Sequence, residues 1–106
     1  MKKSIAQLRR SYEKAKLTED SVLGNPYDQF QFWFDQNLKV NKEDPTAMAL
    51  ATVDKKGKPT NRIVLLKEFS QEGGFSFYTN YDSRKAKQIK DNPNASLLFY
   101  WPQLER

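Results

Sequence analysis

The clearest periodicity in the chain lies in residues 25–41, where Tyr27, Phe30, Phe34 and Leu38 recur at three- and four-residue spacing with Trp33 beside them. That pattern predicts an amphipathic helix with an aromatic stripe turned toward a core. The start chemistry agrees. Asn25 is placed to cap the helix, Pro26 suits its first position, and Asp28 puts a carboxylate in the first turn, where the helix dipole favours it. From Pro45 the period changes to two. Thr46 to Val53 reads as a strand, Asp54-Lys55-Lys56-Gly57-Lys58 as a turn, and Thr60 to Lys67 as the hairpin partner. Gly73-Gly74 introduces a third strand, Phe75 to Thr79. A short helix is expected from about Ser83 to Lys90, stopped by Asn92-Pro93, and Ala95 to Trp101 reads as a fourth strand ending at Pro102. Upstream, residues 1–24 are polar and basic. Ile5, Leu8 and Tyr12 fit a short helix there, in an arm expected to be mobile unless it docks on something.

Hairpins with one intervening helix predict a mainly β architecture with flanking helices, as an antiparallel sheet or barrel. Four strands are too few to close a barrel in which every strand pairs on both sides, so an exposed sheet edge is expected. The domain reading is a basic arm over 1–24 followed by one sheet-bearing domain over 25–106.

Composition narrows the chemistry. A chain of 106 residues holds one small domain, and an aromatic content of 13% argues against disorder although only 38% of residues are apolar. Cysteine is absent, which excludes a disulfide framework, a thiolate nucleophile and a Cys-ligated metal. Histidine is absent as well, so the chain holds no Ser-His-Asp triad, no His-ligated zinc and no imidazole base. Chemistry must come from a bound cofactor or from Lys, Arg, Tyr and carboxylates; no metal site is expected. The net charge of +5 favours a phosphate-bearing partner, whether nucleotide, nucleic acid or small phosphorylated molecule, against the plainer reading of a solvated basic surface. Acidic residues scattered among the lysines count against nucleic acid. No apolar run is long enough to cross a bilayer, and the basic N-terminus lacks an apolar core of signal-peptide length, so no membrane partner and a cytoplasmic location are expected.

Three segments carry candidate chemistry. In Tyr78-Thr79-Asn80-Tyr81-Asp82-Ser83-Arg84-Lys85, a strand end passes into a helix start. Asp82 or Ser83 can cap that helix, and the free N–H groups of its first turn form an anion site. Arg84 and Lys85 oppose the helix dipole there, a conflict that a bound phosphate would resolve; the alternative is that both point into water. Asn61-Arg62-Ile63-Val64-Leu65-Leu66-Lys67 is an apolar strand bracketed by two cations. Since Arg62 and Lys67 are five apart, a regular strand places them on opposite faces, and one ligand meets both only through a bulge, a twist or two subsites. In the arm, Arg9, Arg10, Ser11 and Tyr12 could close over an anion, with a solvated basic tail as the plainer reading of the same residues.

Several runs recur together in one order: Asp44-Pro45-Thr46-Ala47-Met48, Arg62-Ile63-Val64-Leu65-Leu66-Lys67, Phe77-Tyr78-Thr79-Asn80, Ser83-Arg84-Lys85-Ala86, and Asn92-Pro93 leading into Ser96-Leu97-Leu98-Phe99. With Leu8-Arg9-Arg10 and Tyr12 near the start, and Trp101 and Leu104-Glu105-Arg106 near the end, the chain closely resembles the pyridoxamine 5′-phosphate oxidase family over nearly its whole length. The resemblance implies an FMN-binding split β-barrel working as a homodimer, with flavin mononucleotide in the subunit interface. By position, Arg62, Ile63, Val64, Leu65, Leu66 and Lys67 would line the flavin beside Tyr78 and Thr79. Arg84 and Lys85 would hold the flavin phosphate, Lys67 would also reach the substrate phosphate, and Arg9, Arg10, Ser11 and Tyr12 would cover the substrate.

The implied activity belongs to vitamin B6 metabolism: a hydride passes from pyridoxamine or pyridoxine 5′-phosphate to the flavin, oxygen reoxidises it, and pyridoxal 5′-phosphate and peroxide result. Members of the family are longer. Residues 25–106 are therefore expected to be the N-terminal part of the split barrel, incomplete in this chain, without the later strands and without a substrate-binding arginine and histidine. On that reading the chain binds flavin weakly and turns over little.

Overall fold

The computed structural model describes residues 2–78 and 84–106, Arg84 by its backbone alone. The chain divides into two compact units, Met1–Val40 with Trp101–Arg106, and Asn41–Tyr100.

In the first unit, helix α1 spans Pro26–Val40. Asn25 caps it as its position predicts: the Tyr27 N–H donates to Asn25 Oδ1 at 2.7 Å, and the Gln29 N–H to the Asn25 carbonyl at 3.0 Å. The inward face differs from the expected stripe. Tyr27 and Leu38 are exposed, whereas Gln29 and Asn37 are buried, with Phe30, Trp33 and Phe34 between them. The helix is turned toward 29–33–37 because Gln29 has local work: its Oε1 accepts the Leu23 N–H at 2.8 Å and fixes the approach to the helix.

Against α1 packs a hook formed by Trp101–Arg106. Trp101, 5% exposed, lies 5.8 Å from the Phe30 ring and 6.4 Å from the Phe34 ring. The Arg106 guanidinium sits 4.5 Å over Trp33. The hook is a 3-10 turn at Pro102–Leu104, closed by the Trp101 N–H to the Arg106 carbonyl at 2.7 Å and the Arg106 N–H to the Trp101 carbonyl at 3.2 Å. In the arm, the expected helix through Tyr12 is a single 3-10 turn, Ile5–Leu8, started by the Ser4 N–H on Gln7 Oε1.

The second unit is a sheet with a helix on it. Strands β1 (Ala47–Val53), β2 (Pro59–Leu65) and β5 (Ala95–Leu98) form an antiparallel sheet in the order β2-β1-β5. The β1–β2 register runs unbroken from Ala47↔Leu65 to Val53↔Pro59. The turn between them is chemically specified. Asp54 Oδ1 accepts the Lys56 and Lys58 N–H groups at 2.9 Å each, and Gly57 takes φ +84, which other residues rarely adopt. The Lys58 and Lys56 N–H groups and lysine charges hold the Asp54 carboxyl below its ordinary range, against a desolvation cost.

The expected third strand, Phe75 to Thr79, is represented among the described residues by Gly74–Ser76, which forms a hairpin with a strand the pattern did not predict. Strand β3 (Glu68–Ser70) pairs with β4 (Gly74–Ser76) as a separate two-stranded sheet, turned by Gly74 at φ +71 and by the Gly73 N–H on Ser70 Oγ. The fourth strand stops at Leu98 rather than Trp101, because Trp101 belongs to the aromatic cluster of the first unit. Helix α2 spans Arg84–Asp91. Among the described residues the strands do not close a barrel, and no helix is long and apolar enough to cross a membrane. The architecture is mainly β with flanking helices, a partial split barrel.

Candidate functional site

Alternation along β2 and the two residues beyond it sorts the bracketed strand into two faces. Arg62, Val64 and Leu66 turn inward toward Met48, Leu50 and Thr52 of β1, while Ile63, Leu65 and Lys67 are exposed. Because the register is unbroken, no bulge in β2 brings Arg62 and Lys67 together; they stay on opposite faces. Ile63 is 68% and Leu65 47% exposed, high values for aliphatic side chains in a sheet. Beyond β2 the backbone continues to pair, Leu66 N–H to the Thr46 carbonyl at 2.9 Å and Lys67 N–H to the Ser76 carbonyl at 2.8 Å. Lys67 Nζ then stands 5.9 Å over the Tyr78 ring, itself widely exposed. An aliphatic strip ending in a cation and a phenol thus occupies one surface.

The inward face carries a polar cluster that sequence reasoning missed. Gln88 of α2 is 5% exposed and its Oε1 accepts the hydroxyls of Thr52 and Thr60, the latter at 2.6 Å. Arg62 donates to both threonines, Nη2 to Thr60 Oγ1 at 2.6 Å and Nη1 to Thr52 Oγ1 at 3.3 Å. Thr52 and Thr60 face each other across the β1–β2 ladder. The cluster fixes α2 on the sheet and holds the Arg62 guanidinium by two of its nitrogens. The available signal was parity: Thr52, Thr60 and Arg62 all fall on the inward side of their strands. Gln88 gave none, since it sits in a run of charged residues.

Lys85 lies in the first turn of α2, which contains no acidic residue, and its side chain is partly exposed. Thr79, Asp82 and Ser83, expected beside the flavin or as helix caps, lie outside the described residues, as does the Arg84 side chain.

The arm residues belong to the first unit. Arg10 Nη1 pairs with Glu105 Oε1 at 2.9 Å, and Nη2 donates to the Pro102 carbonyl at 2.8 Å. The same guanidinium lies 4.8 Å over the Tyr12 ring. Glu105 Oε2 accepts the N–H groups of Glu13 at 2.8 Å and Lys14 at 2.7 Å, and Lys14 Nζ donates to the Gln103 carbonyl. Ser11 Oγ donates to Glu13 Oε1 at 3.0 Å, and Arg9 is exposed. The arm is docked on the hook. The backbone N–H of Lys14, then that of Glu13, hold the Glu105 carboxyl below the ordinary glutamate range; Arg10 and Lys14 add their charges, and desolvation opposes.

Two surface depressions are lined by other residues. One of about 380 Å³ is lined by Lys14, Gln36, Lys39, Leu104 and Arg106 among others, and one of about 310 Å³ by residues of the β1–β2 turn and α2.

The fold and these surfaces define a partial split barrel with a basic, aliphatic strip on its sheet. The chain belongs to the pyridoxamine 5′-phosphate oxidase family, whose model matches residues 34–106. It is 53% identical over 103 residues to a pyridoxine/pyridoxamine 5′-phosphate oxidase of Bordetella petrii, covering 97% of this chain and 49% of that protein. It is also 53% identical over 104 residues to the protein of the same name from Legionella pneumophila strain Lens, covering 98% of this chain and 48% of the relative. Among solved structures, a pyridoxamine 5′-phosphate oxidase-related, FMN-binding protein from Nostoc punctiforme superposes with a TM-score of 0.63 at 25% identity, over 77% of this chain and 42% of that one. The chain spans about half the length of the curated relatives it matches.

Proposed function

We propose that this chain carries the flavin-binding part of an FMN-dependent oxidase that converts pyridoxamine or pyridoxine 5′-phosphate to pyridoxal 5′-phosphate, in a cytoplasmic setting. The observation that carries the reading is the exposed strip Ile63–Leu65–Lys67 with Tyr78 at its end, in a chain of this family. The donor set fits FMN. A flat heteroaromatic ring needs an apolar bed with a few polar anchors at its rim, which aliphatic side chains ending in an ammonium and a phenol provide. The phosphate needs cations at a helix start, where Arg84 and Lys85 stand.

In this proposal Ile63, Leu65, Lys67, Tyr78 and Thr79 border the ring. Arg62, Val64 and Leu66 support the strand from its inner face. Lys67 also meets the substrate phosphate, and Arg9, Arg10, Ser11 and Tyr12 cover the substrate. Bound flavin would take two electrons from the substrate and pass them to oxygen; the side chains supply anchoring and orientation. A homodimer is part of the proposal, supported by the exposure of Ile63, Leu65, Leu98 and Tyr100. Sedimentation at micromolar concentration tests it, and a stable monomer would count against it.

The deciding experiment is flavin binding. Arg84→Ala should weaken FMN binding by about 1.5–3 kcal/mol, the worth of a charge-assisted hydrogen bond, and leave riboflavin binding unchanged because riboflavin lacks the phosphate. Equal loss for both ligands would remove the phosphate assignment. Peroxide release by FMN-loaded protein given pyridoxamine 5′-phosphate then separates an oxidase from a flavin-binding module.

A further inference from the structure

Every described residue of the arm is exposed. Hydrophobic burial therefore does not order residues 9–14, and their order comes from hydrogen bonds to the hook. Those bonds converge on one carboxylate. Glu105 spends Oε1 on Arg10 and Oε2 on two successive backbone N–H groups, at Glu13 and Lys14. Its side chain is 12% exposed where that of Arg10 is 53%. Glu105 also sits at φ 57, a left-handed conformation that residues with a Cβ rarely adopt and that persists where the surroundings over-determine it. Here the surroundings are the paired Trp101 and Arg106 backbones on one side and the arm on the other.

We propose that Glu105 is a positioning residue for the ligand-covering arm: its carboxylate clasps residues 10–14 to the hook and so presents Arg9, Arg10 and Tyr12 in one arrangement to a phosphorylated ligand. The inference rests on the functional reading above, and it adds a residue outside the arm on which the arm's competence depends. Arg10 is the link. One end of its guanidinium is tied to Glu105 and Pro102, and its face lies over Tyr12, so the clasp reaches the tyrosine through a planar, pre-organised group. A ligand meeting an arm already ordered is spared the entropy of ordering it.

The test compares the parent protein with Glu105→Gln and Glu105→Asp, each loaded with FMN held reduced under nitrogen so that the ligand binds without being oxidised. Binding of pyridoxine 5′-phosphate, which has no aldehyde to react with lysines, is measured by calorimetry, and amide hydrogen exchange is followed in the same samples. Glu105→Gln keeps an acceptor for the Glu13 and Lys14 N–H groups but loses the ion pair. It should bind pyridoxine 5′-phosphate about tenfold more weakly, the ratio expected for one charge-assisted hydrogen bond, with faster exchange confined to residues 10–15. Glu105→Asp should recover part of the affinity, and FMN affinity and exchange in β1 and β2 should match the parent throughout. Faster arm exchange with unchanged affinity would reduce Glu105 to a structural tie and overturn the proposal; unchanged exchange would overturn it as well. A parent protein that binds FMN but no pyridoxine 5′-phosphate would sink the substrate reading and the inference with it, a result distinct from equal binding by parent and variant.

Discussion

In Asn41–Tyr100, order runs through a backbone ladder: β1 pairs with β2 on one side and β5 on the other, and Gln88 of α2 reaches in from outside the sheet. In Met1–Val40 with Trp101–Arg106, one helix supplies the regular structure. Side chains hold much of the rest, with two phenylalanines around Trp101 and one carboxylate gripping the arm, beside the backbone pair that closes the hook. A ladder spreads its stability over many equivalent bonds, whereas the first unit leans more on individual side chains. Single substitutions should therefore act very differently in the two.

The largest effect is expected at Trp101. Trp101→Ala leaves Phe30 and Phe34 facing a void and should cost about 3–5 kcal/mol, read from denaturant unfolding. Amide exchange should show α1 losing protection while β1 and β2 keep theirs. Equal loss in both would mean that the two units unfold as one, and the contrast would fail. Next is Thr52→Val, of similar shape but without the hydroxyl that Gln88 and Arg62 use. Burial makes this loss cost about 1–3 kcal/mol, with faster exchange in α2 and none in the arm.

The smallest effect is electrostatic. Glu105 has its folded pKa below the unfolded value, so its contribution is fully present above the ordinary glutamate range and is lost as pH falls through the depressed folded value. Amide chemical shifts of Glu13 and Lys14 should titrate in that acidic window, and Glu105→Gln should abolish the step. Asp54, also depressed, should report its own acid transition at the Lys56 and Lys58 amides without disturbing the arm.

How far the sequence could be read follows the same division. The β1–β2 hairpin and its Asp54–Gly57 turn were legible because both the alternation and the turn chemistry are local, and Asn25-Pro26 marked the start of α1 for the same reason. The helix's inward face was not, since it is set by Leu23 on Gln29 and by a tryptophan far along the chain. Strand β3 was missed because three residues are too short to show a period. At the candidate site, parity correctly separated Arg62 from Lys67, but their different surroundings depend on Gln88, which no pattern distinguishes from its charged neighbours. The clasp joins positions 91 to 95 apart and leaves no trace in local pattern.

That separation also fixes an order of events in time. A chain made from its N-terminus presents the arm and α1 before the sheet, yet Phe30 and Phe34 gain Trp101, and residues 10–14 gain Glu105, only when Trp101 to Glu105 have been made. The β1–β2 hairpin, closed over five residues from Asp54 to Lys58, can form long before. Distant closure costs more chain entropy than near closure and is slower to find. The arm and α1 are thus made before the sheet yet ordered after the β1–β2 hairpin, and until Trp101 emerges the aromatic face of α1 lacks that cover, a surface a chaperone could meet.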